Sequence, residues 1–261
     1  MMNDLEKMQY KILALIPARG GSKSLPRKNL HSMLGRPLLA WSIHHAQTSK
    51  YVNRIIVSTD DEEIAQVART WGAEVPFMRP AEYAQDMSPD IDVFRHALQW
   101  LHTNEGYVPD LILHLRPTGP ARRVSKIDAA FEKILAHPEA DSLRSASLAV
   151  QTPFKMWFLQ DDGTMKPVIT HDTIKESHSV ARQMLPKAYW QNGYVDITKP
   201  RTILEKNSMV GDRPLSFVID ENVPDVDYLD DIPKVEAALK AILEGTDDPD
   251  QCRIDPDRCP V

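Results

Sequence analysis

At 261 residues and 42% hydrophobic content, the chain has enough apolar mass for the core of one α/β domain with a small appendage. A formal net charge of -6 leaves no broad basic surface, so nucleic acid is not expected as a partner. No apolar run approaches the roughly 20 residues of a membrane span, and the opening MMNDLEKMQY lacks the apolar region of a secretory signal, so a soluble, cytoplasmic protein without a membrane partner is expected.

The first element is a strand. Ile12, Leu13, Ala14, Leu15 and Ile16 form a continuous apolar run ended by Pro17, the pattern of a strand buried on both faces of an α/β sheet. The loop that follows carries Gly20 and Gly21, which let backbone approach a ligand closely, and interleaves Ser22 with Arg19, Lys23, Arg27 and Lys28. Such a loop suits a polyphosphate. It is neither GxxxxGK[ST] nor GxGxxG opening into a helix, and Pro26 stops any immediate helix. Its charge therefore comes from side chains and loop amides. The plainer alternative is a solvated basic loop.

Residues 37–46 read as a helix with Leu38, Leu39, Trp41, Ile43 and Ala46 apolar, and residues 54–59 as the next strand. Helix 62–71 places Ile64, Val67, Ala68 and Trp71 on one face, with Thr59 or Asp60 available as its cap. A short strand over 74–78 delivers Arg79 to a strand end, where ligands of open α/β sheets bind; pairing with Glu82 is the bland alternative for that arginine. A helix over 91–101, a buried strand over 110–115 ending in Arg116, and a helix over 125–136 follow.

From 142 to 192 the pattern breaks into short β-like pieces. Met156, Trp157 and Phe158 form an apolar cluster there with little core of their own, which suits burial against a second subunit. A strand over 217–219 and a helix over 232–243, with Val235, Leu239 and Ile242 toward the sheet, close the pattern. Between them lies PDVD. Residues two apart in an extended segment share a face, so Asp225 and Asp227 converge while Val226 points to the core. Two such carboxylates suit magnesium completed by phosphates and water. Asp230 or Asp231 then caps the final helix. Cys252 and Cys259 sit in a C-terminal tail without nearby histidines, a poor metal site.

The segments ALIPARGGSKSLPRKN, IIVSTDDEEIAQVA, VPFMRPAEYAQD, LRPTGP, RQMLPKAYWQNG and PDVD, in this order, resemble the motifs of the cytidylyltransferases that activate nonulosonic acids, the CMP-sialic acid synthetase family. The resemblance covers residues 11–243. It implies a Rossmann-like three-layer α/β/α fold with a mostly parallel mixed sheet and a small β-rich dimerisation insert. The expected division is 1–141 and 193–245 for the α/β domain, 142–192 for the insert and 246–261 for the tail.

The activity implied is transfer of CMP from CTP to a 2-keto-3-deoxy sugar acid with release of pyrophosphate, in a homodimer using Mg2+. By resemblance Arg19, Gly20, Ser22, Lys23, Lys28, Asn29, Arg79 and Asp86 hold the nucleotide, with Arg79 facing the pyrimidine. Arg116, Thr118 and Asn192 belong to the sugar side, and Lys155 and Arg182 reach a partner's site to engage the carboxylate. Asp225 and Asp227 hold the metal, and Arg19, Lys23 and Asp227 are the expected catalytic groups. Asp227 or a hydroxide at the metal are both open as proton acceptor.

Arg116 and Gly119 stand where the sialic acid enzymes carry glutamine and serine. A guanidinium only donates whereas an amide also accepts, so the acceptor need not be N-acetylneuraminate. Kdo or another sugar acid, or a nucleotide-sugar binding protein without catalysis, are the alternatives.

Overall fold

Both faces of β1 (Ile12–Pro17) are apolar, and this puts the strand in the interior of the sheet. In the computed structural model, which describes residues 10–221 and 224–245, Ile12 to Ile16 are fully buried. The strand pairs in parallel with β4 (Arg54–Ser58) on one side and β5 (Leu111–His114) on the other. Two short strands precede β4, β2 (Ser32–Met33) and β3 (Arg36–Pro37), which form a separate hairpin. The six-stranded sheet is completed by β6 (Ser142–Leu148), β9 (Tyr189–Thr198) and β10 (Pro214–Val218), in the order β10-β6-β9-β5-β1-β4. Only β9 runs antiparallel to its neighbours, so the sheet is mixed and mostly parallel.

Alternation along β1 assigns the two helix layers. Ile12, Ala14 and Ile16 join a core with α1 (Leu38–Thr48), α2 (Glu62–Thr70) and α4 (Val124–Leu135). Leu13 and Leu15 face α3 (Asp90–Glu105) and α5 (Pro200–Leu204). Burying one such leucine contributes about 1.5–3 kcal/mol, so β1 is also a large part of what holds the layers together. The strand expected over 74–78 is reduced to one bridge, Ile56 to Glu74, because Pro76 removes a ladder donor.

A third apolar cluster lies outside these layers. Leu25, Met33, Leu38, Trp41, Ala121 and Val226 pack with Val235, Leu239 and Ile242 of α6 (Ile232–Glu244). The last helix therefore does not face the sheet as its stripe suggested. It covers the outer side of α1 and clamps the cationic loop, through Leu25, to the acidic segment, through Val226.

The bases of β6 and β9 are sheet strands, which puts 142–148 and 189–192 inside the main sheet. What leaves the sheet is residues 149–188, containing the hairpin of β7 (Trp157–Leu159) and β8 (Met165–Pro167). Phe158, Leu159, Met165 and Met184 on this excursion are exposed. Among the described residues no helix is long and apolar enough to cross a membrane. Cys252 and Cys259 lie outside the described residues.

Candidate active site

The loop after β1 is shaped by contacts to the start of α2. Gly20 donates its N–H to Asp60 Oδ1 at 3.0 Å, and a Cβ on Gly20 would fall 2.7 Å from Asp61 Oδ2. Only glycine allows that approach without displacing Asp61. The α2 cap is Asp61, which accepts from the Ile64 N–H at 3.0 Å, and not Thr59 or Asp60 as expected; Asp60 is left free to hold the loop. Arg27, in the left-handed region at φ 57°, pairs with Asp61 and Glu63. It therefore secures the loop to the helix and does not enter the cleft. Asn29 donates to the Arg19 carbonyl at 2.9 Å and closes the loop's base.

Beyond the carboxyl ends of β1 and β5 lies a cleft of about 610 Å³. Arg19, Ser22, Lys23, Lys28 and Asn29 line it from the loop, and Arg79 and Asp86 from the segment after α2. Arg116 and Thr118 enter from the end of β5, and Asp227 from far downstream. Sequence reasoning anticipated these residues as one site, and the fold brings them together. Asp86 pairs with Arg19 at 2.9 Å and with Lys23, and the Lys23 hydrogen bond leads the effects that lower its pKa.

Arg79 is almost fully buried, and its donors are directed at Ser58 Oγ (3.1 Å), the Ser58 carbonyl and the Tyr83 carbonyl. Burial brings its pKa down to about 10. The guanidinium thus braces the cleft wall at the end of β4.

On the other side, Arg116 donates to Asp196 Oδ2 at 2.8 Å and lies 3.6 Å from Asp90. Burial works to lower the Arg116 pKa, and Asp196, Asp90 and Asp225 together outweigh it, so the net shift is upward. Asp196 is fully buried and is also held by Arg144 at 3.1 Å and Gln191 at 3.1 Å. Gly193, at φ +67°, admits this arrangement, since a Cβ there would lie 3.0 Å from the Arg116 guanidinium.

Two residues near this point were not anticipated. Arg122, fully buried, donates to the carbonyls of Tyr194 (2.7 Å) and Arg116 (2.8 Å) and so fixes the loop after β5 to β9. His114 lines the cleft although only 1% exposed, with its ring 4.6 Å from that of Phe94. Burial first, then Arg116, Arg144 and Arg122, hold its pKa well below the usual range, so the imidazole is neutral. Its signal in the sequence was one polar residue interrupting the apolar run LILHL, two positions before Arg116.

Of the two acids expected to converge, Asp227 lines the cleft and Asp225 does not. Val226 is fully buried and donates its N–H to the Thr118 carbonyl at 2.8 Å, which ties the acidic segment to the loop after β5. Lys28 Nζ donates to the Val226 carbonyl at 2.9 Å and to Asp227 Oδ1 at 3.3 Å. Asp231 accepts the N–H groups of Asp227 (3.0 Å) and Tyr228 (2.8 Å), so it fastens the turn after the pair. Asp225 does not line the cleft; it sits behind Gly119, where a Cβ would come 2.8 Å from its Oδ1.

Burial raises the Asp225 pKa, Arg122 opposes that, and repulsion from Asp227 adds to it. Two hard carboxylates are the donor chemistry that a magnesium ion takes when phosphates and water complete its shell. Among the described residues no group of three or more His, Cys, Asp or Glu gathers as a complete metal cage.

Asn192, Lys155 and Arg182 are not in the cleft. Asn192 is buried, donating to Ser147 Oγ at 2.8 Å and accepting from the Tyr194 N–H at 3.1 Å, a staple between β6 and β9. Lys155 is exposed on the turn before β7. Arg182 donates to the Ala149 carbonyl at 2.8 Å in a separate hollow of about 330 Å³ on the 149–188 excursion.

Comparison with known proteins identifies the family and the fold. The family model described as cytidylyltransferase matches residues 13–207. Over 234 residues the chain is 34% identical to the post-translational flagellin modification protein B of Campylobacter coli, covering 88% of this chain and 95% of that protein. It is 31% identical over 237 residues to the pseudaminic acid cytidylyltransferase of Campylobacter jejuni subsp. jejuni, covering 90% and 99%. A solved CMP:2-keto-3-deoxy-manno-octonic acid synthetase complexed with CTP shares the fold, with a TM-score of 0.65 over 88% of this chain and 98% of that one at 17% identity.

Proposed function

This chain belongs to the cytidylyltransferase family, and from that premise we propose that it transfers CMP from CTP to a nonulosonic acid, a 2-keto-3-deoxy sugar acid. The anomeric hydroxyl oxygen bonds to the α-phosphorus as the bond to the β-phosphate oxygen breaks. Pyrophosphate leaves with the electron pair, and the hydroxyl proton passes to a base. The observation that carries the reading is a single cleft lined by Arg19, Ser22, Lys23 and Lys28 together with Asp227. Cations and an orienting hydroxyl are what a triphosphate needs, and the charge they stabilise grows on the departing pyrophosphate. Asp86, already paired with Arg19 and Lys23, holds those two side chains over the cleft until phosphate competes for them.

Asp225 and Asp227 are the residues that would hold magnesium, which when bound neutralises phosphate charge and helps align the reacting oxygen. Lys28 orients Asp227, and Arg122 behind Gly119 balances Asp225. The catalysis is otherwise positioning and electrostatics, with no covalent intermediate.

A homodimer is part of the proposal, supported by the exposed Phe158, Leu159, Met165 and Met184 on the 149–188 excursion. Lys155 and Arg182 lie on that excursion and outside their own cleft, which supports a role in the partner's cleft toward the acceptor carboxylate. Cytoplasmic location goes with the reading, because CTP is supplied there. The test is pyrophosphate release from CTP and magnesium with a panel of nonulosonic and octulosonic acids. Turnover with nonulosonic acids is expected. Turnover with octulosonic acids alone would reassign the acceptor, and CTP binding without any turnover would make the protein a nucleotide-sugar binder.

A further inference from the structure

Beside the cleft runs a row of polar side chains that the reaction chemistry above does not use. His114 on β5, Asp196 on β9 and Arg144 on β6 are register partners across three adjacent strands, all on the face toward α3. Asp196 is 0% exposed and His114 1%. Among the described residues neither ring nitrogen of His114 has a hydrogen-bond partner, nor does Asp196 Oδ1. Buried polar groups are ordinarily paired, and a group left open at the wall of a cleft is one that a ligand completes. Of the three, His114 is the one that lines the cleft, beside Arg116 and Asp90.

We propose that His114 is a specificity-determining residue of the acceptor half, holding one uncharged oxygen of the sugar acid, a hydroxyl or an acyl carbonyl, together with Arg116. The inference rests on the sugar-acid reading above. The charge balance chooses an uncharged group over the carboxylate. Arg116 and Arg144 are matched by Asp196, at 2.8 and 3.1 Å, and by Asp90, 3.6 Å from Arg116. Arg122, the third arginine acting on His114, is balanced by Asp225, so the site has no net cation left to attract an anion. Arg116, tied to Asp196 through one nitrogen, has its second nitrogen turned toward Asp90 at the cleft. A neutral imidazole offers one donor and one acceptor, so it pairs with a hydroxyl in either sense or donates to a carbonyl. Of His114, Asp196 and Arg144, the imidazole is the group that offers both.

The experiment is steady-state pyrophosphate release with His114→Leu and His114→Gln, varying CTP and acceptor separately, and with acceptors lacking one hydroxyl or one acyl group. His114→Leu raises the acceptor KM about tenfold, the worth of one good hydrogen bond, with the CTP KM unchanged, and His114→Gln recovers part of the loss. One truncated acceptor loses about tenfold against the wild type and nothing further against His114→Leu. An unchanged acceptor KM in an active His114→Gln enzyme would overturn the proposal, as would equal changes for CTP and acceptor, which mark a structural role. If the leucine variant does not fold, the glutamine variant and the truncated acceptors decide. Wild-type enzyme inactive on every sugar acid would instead sink the acceptor reading, and the subsite with it.

Discussion

The Lys28 ammonium stands 3.3 Å from the Asp227 carboxylate across 199 residues of chain. It also takes the Val226 carbonyl at 2.9 Å, so one side chain fixes both the direction and the backbone of the acidic segment. Lys28→Met removes a cleft cation and the anchor of Asp227 together. It should lower kcat about a hundredfold, the usual cost of losing one such charge stabiliser. Pyrophosphate release checks this, and a loss under threefold would show that Lys28 only braces the fold.

Asp225→Asn should reduce turnover at least as strongly and raise the magnesium concentration for half-maximal rate. Stripping divalent cations with a chelator should abolish turnover, and added magnesium should restore it. Calorimetric titration of magnesium in the presence of CTP reads the same site without turnover. Equal magnesium affinity in wild type and variant would remove Asp225 from the metal.

Gly119 leaves room for Asp225 that a side chain would take, since a Cβ there would fall 2.8 Å from Asp225 Oδ1 and 3.0 Å from the Arg122 guanidinium. Gly119→Ala should displace the carboxylate by a few tenths of an ångström and cost about tenfold to a hundredfold in kcat. The stability loss should stay within about 1–2 kcal/mol. Denaturant melts alongside kinetics separate the two effects.

Acid should weaken the fold early. Burial holds the His44 pKa down to about 4 from 6.5, and those of His45 and His114 well below 6.5. Below 6.5 the unfolded chain takes up protons that the folded chain excludes, so these three groups make stability fall as pH drops from 6.5 toward 4. Asp128 and Asp225, raised by burial, act in the opposite sense just above 3.8. A His44→Gln variant isolates one contribution: its stability against pH should be flatter between 6.5 and 4 in chemical denaturation, and a parallel profile would refute the assignment.

Leu159 is 81% exposed on β7. Leu159→Glu should convert a dimer to monomers in sedimentation and depress activity if Lys155 and Arg182 act across the interface. A wild type that sediments as a monomer at assay concentration would end the dimer proposal.

Much of this was readable beforehand because the patterns involved are local. An unbroken apolar run such as Ile12 to Ile16, ended by a proline, reads as a doubly covered strand, and alternation correctly put Val226 in the core. Where reading failed, the deciding term was tertiary. In STDDEE several residues qualify as a cap, and the contact of Asp60 with Gly20 selects Asp61. The stripe on α6 says that a face is buried but not against what, and here it meets Trp41 and Met33 in place of the sheet. His114 was hidden for the opposite reason: an apolar strand tolerates one histidine, and only its open nitrogens at the cleft mark it out.

The clamp formed by Leu25, Val226 and α6 also bears on how the site is assembled. That side of the cleft draws residues from both ends of the described chain, so the Lys28–Asp227 contact depends on α6 being in place over Leu25 and Val226.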